Sequence, residues 1–267
     1  MPAHSRSATL VTTAQGFGYV NLVAFVALGA IAIGQWRSRH DRAAGWAAAA
    51  FGSIALVVLA GRAVPQHPHL FVERALARVA IAGLVVFPYL LFRFARTFGR
   101  RYRRFDLYVG SLTALLLVWT FELPHIPEQG QPRPAQFVAY LVVFLIHFGV
   151  LLAFVAGRLW RAGAGQPSVA RRRMRILAAA SALLTLALVL AAVSSRPGSA
   201  AAVASGILGT LSAVGFWLGL APPRLVRMAW RWPEQERVQA AIGSLMALAT
   251  NQEEVAARVL EPLALIV

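Results

Sequence analysis

Neither cysteine nor lysine occurs in the 267-residue sequence. The first absence rules out disulfides, thiolate metal sites and cysteine nucleophiles, and leaves the redox compartment unspecified. The second excludes a Schiff base with retinal or pyridoxal phosphate and a Walker phosphate loop, each of which needs a lysine amine. Carboxylates are scarce as well, ten against 26 arginines, for a net charge of +16. No H-E-x-x-H and no G-x-S-x-G is present, so the common hydrolase signatures are missing too. Gly163 and Gly165 are a weak phosphate-loop candidate and read better as a flexible connector. No cofactor is assigned.

What the sequence has in excess is apolar surface. Hydrophobic residues make up 58% and charged residues 13%, where soluble domains carry about 45 to 50% and about a quarter; the mean hydropathy is +0.63. Seven apolar runs approach the roughly 20 residues that cross a hydrocarbon core: Phe17 to Trp36, Ala44 to Val64, Ala75 to Ala95, Leu107 to Leu123, Ala135 to Gly157, Ile176 to Ser194 and Ala200 to Ala221. This pattern implies an all-α, polytopic membrane bundle of seven transmembrane helices. Twenty arginines fall in the first, third and fifth loops and the tail, and six in the remaining loops and N-terminal segment. Cytoplasmic loops retain positive charge, so the N-terminus is expected outside and the C-terminus in the cytosol. A soluble domain this basic would suggest nucleic acid. Clusters that flank apolar spans instead suggest anionic lipid headgroups, and no nucleic-acid partner is expected.

Polar groups at membrane depth are costly and therefore informative. His147 falls near the middle of the fifth span and is expected neutral and hydrogen-bonded toward the bundle interior, either as a structural histidine or as a ligand, proton or haem residue. At the outer end of the second and third spans, Arg62, His67, His69, Glu73, Arg74 and Arg78 offer a rim for an anionic or metal ligand, with Glu122, His125 and Glu128 from the next outer loop. Interfacial anchoring explains the same residues. Pro88 interrupts the third span, with Tyr89 beside it, as a hinge or a packing bend. Gly215 and Gly219 form a G-x-x-x-G pair, for packing within the chain or for dimerisation. Pro222 and Pro223 separate the last span from a polar tail in which Val238, Ile242 and Leu245 share a helical face,.

A transporter or channel is the alternative function, and would call for broken helices, repeats or several ionisable groups along a path. A membrane enzyme using His147 or Glu122 would need a second catalytic group at the same depth, and a haem protein a second histidine.

Seven spans, an Arg171 to Arg175 run opening the sixth, and a seventh leading through Pro222, Pro223, Arg224, Leu225, Val226 and Arg227 into a helix resemble the seven-transmembrane N-terminal sensor regions of bacterial histidine kinases and related multidomain signalling proteins. The segment Glu236 to Val267 is similar to the helical opening of a GAF domain. The resemblance spans nearly the whole chain and rests on architecture, without a catalytic motif. It implies an extracytoplasmic segment 1–16, a sensor bundle 17–222, a cytosolic signalling helix 223–250 and the start of a truncated cytosolic domain 251–267. It further implies a bacterial cytoplasmic membrane, a homodimer, an unidentified ligand or bilayer signal, and an output domain outside this chain. Of the histidines only His40 reads as cytosolic, so no phosphoacceptor is assigned and the chain is not expected to be an enzyme by itself. The capping-box pair Thr250 and Glu253 is expected to open a second tail helix, and the apolar run to Val267 to begin that truncated domain.

Overall fold

The computed structural model describes residues 3–63, 71–98, 103–123, 126–127, 132–194 and 199–248, with backbone alone for 3–15, 39, 231–235, 237 and 245–248. Among the described residues every regular element is helical. Eight α-helices follow one another: α1 (Ala3–Arg39), α2 (Arg42–Ala63), α3 (Phe71–Ala95) continued by a 3₁₀ turn (Arg96–Phe98), α4 (Arg103–Glu122), α5 (Ala135–Ala164), α6 (Ser168–Val193), α7 (Ala200–Leu220) and α8 (Arg224–Leu248). Seven of them, α1 to α7, contain stretches long and apolar enough to cross a membrane, and the chain is a multi-pass helical membrane protein. The expected spans are all present. α1 begins at Ala3, well ahead of the apolar run that starts at Phe17, and α5 continues past the apolar stretch to Ala164.

Side chains and local backbone chemistry set several boundaries. α1 ends where His40 adopts a left-handed conformation, φ 53°, with its N–H donating to the Trp36 carbonyl at 2.8 Å, a common way of closing a helix. One residue on, Asp41 Oδ1 accepts the Ala44 N–H at 2.7 Å and caps α2,. Ser199 caps α7 by accepting from Ala202 N–H at 3.2 Å. α3 runs unbroken through buried Pro88.

Helices α1, α2, α3, α5, α6 and α7 form a closed ring in which α7 returns to α1, and α4 lies outside it against α3 and α5. Leu107, Tyr108, Leu115, Val118 and Phe121 on α4 are accordingly exposed, as lipid-facing side chains are. The core is aromatic. Ring contacts lead from Phe216 on α7 to Phe51 on α2 (4.9 Å), Phe87 on α3 (6.3 Å) and Phe148 on α5 (6.2 Å), then through Phe144 and Tyr140 to Trp119 on α4. Each pair lies in the spacing range where aromatic rings attract beyond their area burial, by about 0.5 to 1.5 kcal/mol. With alternating spans, the ends of α1, α3, α5 and α7 and the starts of α2, α4 and α6 share the arginine-rich end of the bundle.

The absence of native cysteine makes topology directly measurable. Pro132 and Gly165 are exposed at opposite ends of α5. A membrane-impermeant maleimide should modify Pro132→Cys in intact cells and Gly165→Cys only after permeabilisation. Labelling of both in intact cells would overturn the orientation read from the arginines.

Candidate functional site

The densest cross-helix polar chemistry surrounds α7. Pro222 and Pro223 carry no N–H, so α7 cannot continue through them, and the residue before a proline is pushed away from helical geometry. Ala221, at φ −133° and ψ 64°, is that residue. The break leaves the last α7 carbonyls without helical donors, and two neighbouring helices supply them. Arg173 on α6 donates Nε–H to the Gly219 carbonyl at 2.9 Å and Nη2–H to the Leu220 carbonyl at 3.2 Å. Gln35 on α1 donates Nε2–H to the same Leu220 carbonyl at 3.3 Å. A cation at a helix C-terminus also meets the negative end of its dipole. Beyond the prolines α8 starts with Arg227 N–H donating to the Pro223 carbonyl at 3.0 Å, and Ser168 Oγ at the start of α6 donates to the Trp230 carbonyl at 3.3 Å. The α7–α8 joint is thus held from α1 and α6.

Above the joint α7 presents small residues on two faces. A Cβ at Gly215 would stand 2.9 Å from the Ala180 Cβ, and one at Gly219 would meet the Leu177 side chain at 2.5 Å. The G-x-x-x-G pair therefore packs against α6 within the chain. Ser212 Oγ, buried about one turn before Gly215, donates to the Ala180 carbonyl at 2.9 Å across the same seam. On the other face, Gly206 and Gly209 make room for Phe17 and Asn21 of α1. Asn21 Nδ2 donates to the Gly206 carbonyl at 3.2 Å, and Thr210 Oγ1 donates to Asn21 Oδ1 at 2.8 Å.

His147 is buried on α5 with Nε2 3.1 Å from Thr113 Oγ1 of α4. Thr113 donates its proton to the Val109 carbonyl at 2.8 Å, so the network assigns the Nε2–H tautomer, with the imidazole donating. A second tie, two turns along, repeats the arrangement. Thr120 donates to the Leu116 carbonyl at 2.7 Å and accepts from the Tyr140 hydroxyl at 2.7 Å. These geometries make His147 a cross-helix tie, hydrogen-bonded within the bundle. The signal was in the sequence: Thr113 and Thr120, like Tyr140 and His147, are seven apart on one helix face, which antiparallel neighbours bring into register.

The expected outer rim is only partly brought together. His67 and His69, with His125 and Glu128, lie outside the described residues. Arg78 on α3 donates Nη2–H to the carbonyl of buried Leu123 at 3.0 Å, which makes it a cap on the end of α4. Glu122 is exposed beside that cap, and Glu73 is half-buried in the first turn of α3. Among the described residues no three of His, Cys, Asp and Glu converge to hold a metal ion. At the other end of α3, Tyr89 accepts a hydrogen bond on its hydroxyl from Arg93 Nη1 at 3.1 Å. The tail's second helix, from Thr250 and Glu253, and the apolar run to Val267 also lie outside the described residues.

The α4–α5 tie is open to a double-mutant cycle by reversible unfolding in mixed micelles. Thr113→Val and His147→Leu should each destabilise, and the pair should cost less than their sum by about 0.6 kcal/mol, up to about 1.7. Additive losses would show that the two side chains do not interact. Compared with known proteins, the chain matches no family model, no curated protein and no solved structure.

Proposed function

We propose that this chain is the membrane-embedded sensory module of a bacterial signal-transduction protein, residing in the cytoplasmic membrane and relaying a change in its helical bundle to a cytosolic output domain. The α7–α8 joint is the observation that carries the reading. α7 is wedged between α1 and α6 on small-residue seams, its terminal carbonyls are gripped from both sides by Arg173 and Gln35, and the chain then turns at Pro222 and Pro223 into a helix that packs back on α6.

In this arrangement a tilt or shift of α7 relative to α6 reaches α8 through residues 221–223, where the helical ladder is interrupted, and works against the Ser168 bond that holds α8 to α6. The position of α8 therefore reports the α6–α7 geometry. The exposed side chains of Val238 and Ile242 on α8 supply an apolar stripe for a following domain or a second signalling helix. Catalysis is assigned to the output domain, and this chain to detection and relay.

The test joins the full chain, in frame after Val267, to a reporter histidine-kinase core in nanodiscs of differing thickness. Mismatch costs fractions of a kcal/mol per Å, so a few Å shift a two-state bundle by ~1 kcal/mol, about fivefold in output. Autophosphorylation should change by about that factor between thin and thick bilayers, and Pro222→Ala with Pro223→Ala, or Arg173→Gln alone, should bring both to one level. Equal output in every bilayer for the unmodified fusion would count against a sensory module that reads thickness; bilayer-dependent output that survives the proline changes would remove the joint from the relay.

A further inference from the structure

At the arginine-rich end α2 opens with its smallest side chains: residues 43–50 are alanine or glycine except for Trp46. Facing the ends of α1 and α3, this run leaves a cleft of about 850 Å³, within the range of ligand pockets, about 300 to 1,000 Å³. Its apolar lining is Ile33, Ala48 and Ala49, with Trp36, Trp46 and Thr97 beside them and Arg42, Arg93 and Arg96 supplying charge; Ile33 and Ala49 are exposed. Gly45 lets the wall close, because a Cβ there would stand 3.1 Å from Trp36 Nε1.

Two of the three cations, Arg93 and Arg96, are held by other groups of the bundle. Arg93 is half-buried, its guanidinium 4.5 Å from the centre of the Trp46 ring and hydrogen-bonded to the Tyr89 hydroxyl. An arginine that served only as an interfacial anchor would extend toward the headgroups and away from the bundle. The two carboxylates on the adjoining elements each have a partner, and one of them takes Arg96 out of the cleft's free charge. Asp106 in the first turn of α4 pairs with Arg96 at 2.5 Å, and Asp41 caps α2 through the Ala44 N–H. Arg42 and Arg93 thus present positive charge to a cleft whose remaining lining, apart from the paired Arg96 and the Thr97 hydroxyl, is aromatic, apolar or glycine.

From this geometry we infer that the cleft is a binding site for the phosphate headgroup of an anionic phospholipid from the arginine-rich leaflet, with Arg42 and Arg93 on the phosphate oxygens and an acyl chain entering along Ile33, Ala48 and Ala49. Guanidinium forks match phosphate oxygens in pairs and are more weakly hydrated than ammonium groups. The apolar lining decides between lipid and soluble phosphate ester: Ile33 and Ala49 are exposed, and a headgroup without a chain would leave them uncovered. The site follows from the cleft alone and holds whether or not the chain is sensory.

Native mass spectrometry of the delipidated full chain tests the site, with phosphatidylglycerol and phosphatidylcholine titrated separately and the first bound lipid counted. Two arginines near a surface, each worth about fivefold, predict that phosphatidylglycerol binds first about thirtyfold more tightly than phosphatidylcholine. Arg42→Gln with Arg93→Gln should abolish the preference. Arg161→Gln with Arg172→Gln removes the same charge from exposed positions at the same end and should keep it. Ala49→Phe, which retains every charge and adds bulk to the apolar lining, should weaken phosphatidylglycerol alone. If the glutamine pair fails to fold by circular dichroism, Arg93→Lys takes its place, with a partial loss expected because it keeps the charge and loses the fork. No preference in the unmodified chain, or equal loss in both glutamine pairs, would overturn the site. Displacement of the lipid by millimolar inorganic phosphate, or an unaffected Ala49→Phe, would overturn the lipid as its occupant.

Discussion

In hydrocarbon a backbone carbonyl has no water to accept from, and this constraint organises both ends of the bundle and its interior. Helix ends are where carbonyls lose their partners, and arginine is what the sequence supplies there. Arg173 serves two carbonyls of α7 with one fork, Arg78 serves Leu123 at the end of α4, and Arg133 donates to the Ala192 carbonyl at the end of α6 at 2.9 Å. A lysine offers a compact point charge and could not bridge neighbouring carbonyls with the same planar geometry. The all-arginine composition is therefore consistent with two uses: charge that orients the chain, and forks that close its helices.

The same constraint explains how a core with so few charges contains so many hydroxyls. Thr113, Thr120, Ser181 and Thr185 each donate to the carbonyl one turn earlier on their own helix, so none carries an unsatisfied proton into the interior. Once the proton is committed, the hydroxyl oxygen is left as an acceptor, and His147 and Tyr140 donate to it at Thr113 and Thr120. Two deep polar side chains become inter-helix ties in the place where α4, outside the ring, has least backbone contact with α5.

Hydropathy and arginine placement were enough to read the seven spans and the interruption at Pro222, because both signals are local: apolar length fixes a span, and a missing N–H stops a helix. What escaped the sequence depends on partners distant along the chain. Arg78 has the same composition signature whether it faces a ligand or a helix end, and only the proximity of Leu123 decides. Gly215 and Gly219 fit a dimer interface and an internal seam equally well until Ala180 and Leu177 are seen opposite them. Asn21 was legible in principle, an amide among apolar neighbours, yet its partners Gly206 and Thr210 are on the last span. The partners of Arg93 are likewise out of sequence reach, and the cleft it lines depends on the alanine run of α2, which in sequence reads only as a good helix former,.

These contacts together constrain how α7 can move. Its buried Phe216 lies 4.9 Å from Phe51, the end of the aromatic chain that crosses α2, α3 and α5, and close-packed rings resist displacement more than small-residue seams do. On the relay reading, Phe216 is then a pivot, one turn before the carbonyls held by Arg173 and Gln35. A change at the far end of α7, along the Gly206 and Gly209 face, would swing the short arm beyond Phe216 against two hydrogen-bonding side chains whose donors either engage or release. Side-chain forks on discrete carbonyls favour alternative engaged positions over gradual bending, which is the bistability a switch requires. Gln35 also adjoins Trp36, a wall of the arginine-lined cleft, so the last turn of α1 is shared between the clasp on α7 and the site inferred for lipid. On the relay reading, a headgroup seated there would act on the same turn of helix that grips α7, and that proximity would be the route by which the composition of the bilayer reaches α8.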